Sequence, residues 1–385
     1  MNQREAVIVA YGRSAMAKAY KGGFSSVHPV TYAAETLKGV LARVPQLDPM
    51  DIDDVIVGCA NPEGTQGWNI ARLICQLAGL PKEVSAQTVN RFCSSGLQTI
   101  ATAANAILAN QYDVAVAGGV ESMTRIKNMF LEEEFRDPAL VKSYVEAYMA
   151  PGYTAERTAA LHGITPREME ELAVRSHVLA AAAQDAGAFD DQIIPITVTA
   201  PNGTAKVIDK DEGIRRGTTV ESLAKLKPCF EGIVTAGTSS QMTDGAAFVV
   251  VMSREKAEEL GIKPIARFVG FAVAGNESEL MGLGPIYAVP KVLKRTGMTL
   301  DQIDVIELNE AFAAQAIPCI RTLGFDMDKV NPEGGAMALG HPLGATGAVL
   351  TCKALSRLRR KGGRYAMITM CIGGGMGAAG IFEML

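Results

Sequence analysis

Short apolar runs alternate with alanine-rich amphipathic stretches from one end of the chain to the other. Residues 7–10, 55–57, 114–117, 305–308 and 367–370 are brief runs rich in β-branched or other bulky apolar residues, the pattern of strands buried on both faces. Residues 96–109 and 347–358 lie between such runs and combine strong helix formers with apolar positions at helical spacing, so they are expected to be helices. Regular exchange of the two patterns predicts an α/β architecture in which helices cover the faces of a sheet.

The pattern also echoes itself. Ile52-Asp-Asp-Val-Ile-Val57 precedes Val89-Asn90, a loop and a helix opening with small residues; Ile303-Asp-Val-Ile-Glu-Leu308 precedes Val330-Asn331, a loop and a similar helix. The matching order suggests two halves of one duplicated fold, with chance likeness between buried strands as the alternative. The middle of the chain, from about Arg125 to Gln241, is richer in charge, proline and loop residues. It holds one clear helix, over 166–186, announced by Thr165, Pro166 and Glu168 at its start. The expected division is a first half of 1–124 with 242–255, an inserted region of 125–241, and a second half of 256–385.

Composition narrows the function. At 385 residues the chain is too long for one small core, and 48% hydrophobic with 20% charged residues is an ordinary globular balance. A formal net charge of −4 gives no reason to expect nucleic acid or an anionic membrane as partner. The basic run from Arg357 to Lys361 precedes Gly362 and Gly363, as cations do in the last turn of a glycine-capped helix. Seven scattered cysteines, odd in number and without a C-x-x-C pair, point to free thiols in a reducing compartment. His28, His162, His177 and His341 have no close His or Cys neighbours of the kind a zinc site needs, so no metal is expected. The opening residues lack a secretory pattern, no run reaches the ~20 apolar residues of a membrane helix, and the last residues match no peroxisomal tripeptide. A cytoplasmic protein is expected.

Four positions carry candidate chemistry. Cys93, in Asn90-Arg-Phe-Cys-Ser-Ser-Gly96, directly precedes a predicted helix, whose positive end favours a thiolate; a small buried apolar cysteine is the bland alternative. His341 lies in Gly334-Gly-Ala-Met-Ala-Leu-Gly-His-Pro-Leu-Gly-Ala-Thr-Gly347, where the glycines imply close backbone approach and a neutral imidazole can accept a thiol proton. Cys371 begins Cys371-Ile-Gly-Gly-Gly375. Only eight residues follow Gly377, too few for a dinucleotide-binding unit. The segment is either a strand end presenting a thiol and bare N–H groups to a reacting centre, or a glycine turn beside a buried thiol. Asn309, at a strand end in Glu307-Leu-Asn-Glu-Ala-Phe-Ala313, can orient a water or an oxyanion, or cap a helix.

These segments, with Gly118-Gly-Val-Glu-Ser-Met123, occur in an order that resembles the thiolase family over essentially the whole chain. Cys59-Ala-Asn-Pro-Glu63, Gln66-Gly67 and Ser239-Ser-Gln-Met242 bring it nearest to bacterial 3-ketoacyl-CoA thiolases of fatty-acid β-oxidation. The resemblance implies a layered α/β/α/β/α fold of two similar halves, each with a mixed five-stranded sheet, and a large loop region over the site. It implies Cys93 as the acyl-carrying nucleophile, His341 as its base, and Cys371 as the acid/base for the acetyl-CoA carbanion and incoming CoA. Asn309 would hold a water that joins His341 at the enolate oxygen, and the N–H groups of Cys93 and Gly373 would form a second oxyanion hole. For CoA, Arg215 matches an adenine-stacking arginine, Ser222 and Ser240 match serines along pantetheine, Phe230 matches an apolar wall, and Ala236, Ala311 and Phe312 complete the contact positions.

Two departures from the family pattern stand out. Thr238 occupies a place where many members carry Asn, and Pro151 replaces a Met beside the acyl pocket, so chain-length preference does not transfer. The function implied is thiolytic cleavage of a 3-ketoacyl-CoA by CoA, with CoA as substrate and no permanently bound cofactor. The alternatives are an acetoacetyl-CoA thiolase working in biosynthesis, an inactive CoA- or lipid-binding relative, and a thiol hydrolase. Members of the family are homodimers or homotetramers, and some bacterial ones join a hydratase/dehydrogenase subunit.

Overall fold

The computed structural model describes residues 4–126, 135–199 and 203–385. In chain order the first part of the protein supplies β1 (Ala6–Arg13), β2 (Ala17–Lys18), α1 (Pro29–Leu41), β3 (Asp54–Gly58), α2 (Ile70–Ala78), β4 (Ser85–Val89), α3 (Ser95–Leu108) and β5 (Val114–Ser122). The middle supplies α4 (Pro138–Ser143), α5 (Pro151–His162), α6 (Pro166–Asp185), β6 (Ile196–Thr199), β7 (Ala205–Ile208) and α7 (Val220–Leu223). Then come β8 (Thr243–Ser253), α8 (Arg254–Glu259), β9 (Ala266–Gly275), α9 (Gly284–Thr296), β10 (Val305–Leu308), α10 (Ala313–Leu323), α11 (Ala336–Leu339), α12 (Leu343–Lys361), β11 (Tyr365–Ile372) and β12 (Met376–Met384).

All five predicted strands and both predicted helices are present. The helix foreseen over 166–186 is α6, and Thr165 and Glu168 close a reciprocal capping box at its start. The basic run ends α12 against Gly362, as expected, while Arg357 and Arg360 also pair with Glu333.

The repeat is structural. The first five strands run in the order β1-β8-β5-β3-β4, and the later four in the matching order β9-β12-β11-β10. In both sets the first three neighbours pair antiparallel and the next pair is parallel. The expected fifth strand of the second set shrinks to one parallel bridge, Ile306 to Val330. Asn331 there turns to φ 44°, and Pro332 has no N–H to continue a ladder. The Asn331 amide takes over the pairing, accepting from Leu308 N at 2.9 Å and donating to Leu308 O at 2.8 Å. The two sets are joined into one ten-stranded sheet through Val7–Arg267 and Ile8–Ala266.

Helices α3 and α12 lie between the two sets of strands and touch both, α1 covers the outer face of the first set, and α9 covers that of the second. The central helices approach closely because glycines face each other. A Cβ on Gly347 would lie 2.2 Å from Leu97 N, and one on Gly96 would lie 2.9 Å from Gly344 O. The middle region folds back over the second half, with α5 and α6 against α10 and α6 also against α11. No helix among the described residues is long and apolar enough to cross a membrane.

The helix crossing can be tested directly. Ala is a better helix former than Gly by ~1 kcal/mol, yet Gly347→Ala should lower the thermal midpoint. The added methyl meets backbone, an overpacking cost of ~1–3 kcal/mol or more. A raised midpoint at the same protein concentration would show that the helices are not in contact there.

Candidate active site

Cys93 sits in a single 3₁₀ turn, Phe92–Ser94, between β4 and α3. Phe92 is held at φ 42°, a left-handed conformation that costs a side-chain-bearing residue energy and sets the angle at which the next residue leaves the strand. The Asn90 side chain and Ser95 Oγ brace this turn, accepting from Phe92 N at 2.8 Å and Arg91 N at 2.9 Å. Cys93 itself is partly exposed, but its sulfur is shielded from water, which pushes the thiol up to about 11. The backbone N–H groups of Gly373 and Cys93 reach the sulfur and act in the opposite direction without prevailing. The thiolate favoured by the helix dipole is therefore not the resting state: desolvation outweighs the dipole, and deprotonation needs a base.

Gly373 comes from the turn between β11 and β12, where Gly374 and Gly375 adopt φ of 79° and 81°. Those left-handed glycines fold the chain back as a hairpin, which is why the glycine string needs no following helix. Cys371, the penultimate residue of β11, is fully buried, and burial raises its thiol well above the usual range, with the nearby Cys93 sulfur adding to the effect. It lies in an apolar cluster with Met281 and Ala311, against Phe312.

Asn309 follows β10 and is tied to β11 through its N–H, 3.0 Å from Thr369 O. It caps no helix, because the cap of α10 is Phe312. Its Nδ2 lies 3.3 Å from His341 Nε2, while its Oδ1 is buried without a partner among the described residues. His341 lies between α11 and α12, with Nδ1 2.6 Å from Thr346 Oγ1. Burial lowers the imidazole to about 4, so the ring is neutral at physiological pH. Its backbone N–H donates to Gln241 O and Thr243 Oγ1, both at 3.2 Å.

Cys93 lies near Cys371 and the Gly373 N–H, and Asn309 is paired with His341. The turn that carries Cys93 packs against α12, which starts two residues after His341. Two protonated thiols, a neutral imidazole and backbone N–H groups are a set that can take up a proton, supply one and stabilise negative charge on an oxygen.

The positions matched to CoA come from several elements. Ser240 N donates to Ala311 O at 2.9 Å, and Ala311 and Phe312 pack with Cys371. Gly237, next to Ala236, packs on Leu223 and Leu226. The Ser222 hydroxyl is engaged in a capping box with Thr219. Arg215 is exposed, its backbone N–H donating to His177 Nδ1 at 3.1 Å. Phe230 stacks edge-on with Tyr153 and lies against Gly152. Thr238 is turned inward and bonds Thr235 of its own turn, and Pro151 is the first residue of α5, a position where its missing N–H costs nothing.

Several supporting residues escaped the sequence analysis. Glu121 is fully buried and accepts from Ala60 N, Gly344 N and Gln66 Nε2, each at 2.8 Å, and from Asn61 N at 3.2 Å. Its signal was a lone carboxylate inside an apolar strand. Glu310, by contrast, is readable from the sequence as a support for its neighbour Asn309, and it accepts from Ser176 Oγ at 2.7 Å and Asn331 Nδ2 at 2.8 Å, anchoring the loop that carries Asn309. Arg13 and Asp211, both fully buried, form a bidentate pair at 2.7 and 2.8 Å that pins the segment leading to Arg215. A strand-end arginine and a distant aspartate give no sequence sign of such pairing.

Two family descriptions match the chain: "Thiolase, N-terminal domain" over residues 6–255 and "Thiolase, C-terminal domain" over residues 262–384. A Bacillus subtilis protein named 3-ketoacyl-CoA thiolase is 48% identical over 99% of this chain and 100% of its own length. A Marinobacter nauticus protein of the same name is 45% identical, with 100% of each chain covered. Among solved structures, Bacillus anthracis acetyl-CoA acetyltransferase is similar with a TM-score of 0.90 at 38% identity, covering 100% of this chain and 99% of that one.

The charge state of Cys93 has a measurable consequence. Only the thiolate is alkylated by iodoacetamide, and the Cys93 thiol is pushed up to about 11. The alkylation rate of the free protein at Cys93, followed by peptide mass, should therefore keep rising with pH through the range from 7 to about 10. A plateau at or below neutral pH would show a resting thiolate instead.

Proposed function

The chain belongs to the thiolase family, and from that premise we propose that it cleaves 3-ketoacyl-CoA with CoA, giving acetyl-CoA and an acyl-CoA shortened by two carbons. The observation that carries this reading is the pair of protonated thiols, Cys93 and Cys371, with the Gly373 and Cys93 N–H groups at the first of them, on a turn packed against the helix that follows the neutral His341 and its partner Asn309. Thiolysis makes two different oxyanions and one carbanion, and few other reactions need all of these groups together.

In this reading Cys93 Sγ gives its proton to His341 Nε2 while attacking the C3 carbonyl carbon. The resulting alkoxide lies against the N–H groups of Cys93 and Gly373. Its collapse restores the carbonyl and breaks the C2–C3 bond, leaving the electron pair on acetyl-CoA as an enolate. The enolate oxygen faces the newly protonated His341 and a water held by Asn309, whose unpartnered buried Oδ1 is an acceptor suited to that water. Cys371 then delivers its proton to C2. Incoming CoA returns a proton to the Cys371 sulfur and attacks the acyl thioester on Cys93. The same N–H pair holds the second alkoxide, and on collapse Cys93 leaves and recovers its proton from His341. Removing one oxyanion donor typically costs ~10²–10³ in rate, so both holes matter.

CoA is a substrate here, not a resident cofactor. Arg215, Ser222, Phe230, Ala236, Ser240, Ala311 and Phe312 form its docking rim, and the division into halves of 1–124 with 242–255 and 256–385, with 125–241 inserted, gives that rim to the insertion and the second half. A cytoplasmic homodimer or homotetramer fits this reading. Its support is the open edge of β4 at the end of the ten-stranded sheet and Trp68, 90% exposed, whose neighbour Asn69 bonds Ala86 of that strand. Association with a hydratase/dehydrogenase subunit is a further expectation of the same reading. A second reading, acetoacetyl-CoA thiolase, is favoured by the name of the Bacillus anthracis neighbour. An inactive binder would not need Cys93, His341, Cys371 and Asn309 all intact.

The test is CoA-dependent cleavage of acetoacetyl-CoA against a long-chain 3-ketoacyl-CoA, with Cys93→Ala as control. Higher kcat/KM on the long chain, abolished in the control, is expected. Activity confined to acetoacetyl-CoA would move the assignment to the second reading, and no cleavage of either would remove the thiolase activity altogether.

A further inference from the structure

The His341 ring has one partner at each nitrogen: Asn309 Nδ2 at 3.3 Å from Nε2 and Thr346 Oγ1 at 2.6 Å from Nδ1. Thr346 lies in the first turn of α12 and is buried, and among the described residues its hydroxyl makes no other hydrogen bond. Among the described residues no carboxylate is hydrogen-bonded to the ring. The acids nearest in the network, Glu121 and Glu310, direct their oxygens to backbone N–H groups, amides and a serine.

Which imidazole nitrogen carries the proton is set by the hydrogen bond that the other makes. A proton on Nε2 would face the Asn309 Nδ2 donor, N–H against N–H. A proton on Nδ1 points at the Thr346 oxygen and leaves the Nε2 lone pair for Asn309 in the resting site. We propose that Thr346 is a positioning residue that keeps His341 in the Nδ1–H form, so that Nε2 is the nitrogen able to accept a proton. This inference rests on His341 being the base for Cys93 and adds how that base is set.

The chemistry of the partner matters as much as its place. A carboxylate beside Nδ1 would stabilise the imidazolium and leave the ring charged before substrate arrives. A hydroxyl orients the ring without adding charge. When the proton leaves Cys93 Sγ for Nε2, the ring becomes cationic and the Nδ1–H···Oγ bond strengthens, as hydrogen bonds from charged donors do. The ring therefore keeps its orientation while Nε2–H serves the enolate oxygen, and the proton goes back to the Cys93 sulfur in the second half of the cycle.

Thr346→Val keeps the shape of the side chain and removes the hydroxyl, Thr346→Ser restores it, and His341→Gln tests the base itself. Thr346→Val should lower kcat by ~10–100-fold, the scale of one hydrogen bond to a charged group, with KM for CoA nearly unchanged. Thr346→Ser should recover most of that loss. With only four histidines in the chain, ¹⁵N NMR of labelled imidazoles, assigned with His341→Gln, should show wild-type His341 protonated at Nδ1. A wild-type ring protonated at Nε2, or a Thr346→Val enzyme with wild-type kcat beside a dead His341→Gln, overturns the proposal while leaving the base intact. An active His341→Gln enzyme instead removes the base reading on which the proposal stands. The NMR result needs no variant of Thr346, so it decides even where Thr346→Val fails to fold.

Discussion

The site depends on how closely α3 and α12 meet at their first turns. Each helix follows a candidate residue, Cys93 before α3 and His341 before α12, so the helix crossing fixes the distance between the proposed nucleophile and its proposed base. Gly96, Gly344 and Gly347 let backbone approach backbone, and a methyl on any of them would collide with main-chain atoms of the facing segment. Glu121 holds this contact from the sheet side. Its buried carboxyl group binds Gly344 N in α12 and the loop of Ala60 and Asn61, so one side chain ties the start of the second half's central helix to the first half. Burial raises this carboxyl group above its usual range, and the N–H donors act in the opposite direction and offset the cost of burying a polar group.

Duplication explains why the chemistry divides as it does. Each half places its candidate residues at a strand end or just before its central helix. The first half contributes Cys93; the second contributes Asn309, His341, Cys371 and Gly373. The environment is low in water, so both thiols are pushed up and the imidazole down. All three groups begin neutral, and charge appears only as protons move. That arrangement suits a reaction in which each proton removed in one half-reaction is returned in the other.

Much of this was legible in the sequence because it is local. Buried strands such as β3 and β10 show as apolar runs, α6 announces itself through Thr165, Pro166 and Glu168, and the catalytic candidates stand inside glycine-rich strings that only close backbone approach requires. The echo of Val89-Asn90 in Val330-Asn331 was also real, although Pro332 reduced the second strand to a bridge. What remained hidden is non-local. The charge state of Cys93 depends on how much water the fold removes, which no helix-dipole argument contains. Arg13 and Asp211 meet across most of the chain, and Thr346 matters only because the ring of His341 turns toward it. Strands β9 and β12 were passed over because small residues and glycines interrupt their apolar pattern, yet β9 joins the two sets of strands by pairing with β1.

The central claim is that Cys93 alone carries the acyl group. Incubation with acetyl-CoA, rapid acid quench and peptide mass spectrometry reads this directly. One added acetyl group is expected on the Cys93 peptide and none at the other six cysteines, with the label discharged by free CoA. Label on Cys371, or no label at all on an enzyme that still cleaves 3-ketoacyl-CoA, would contradict it.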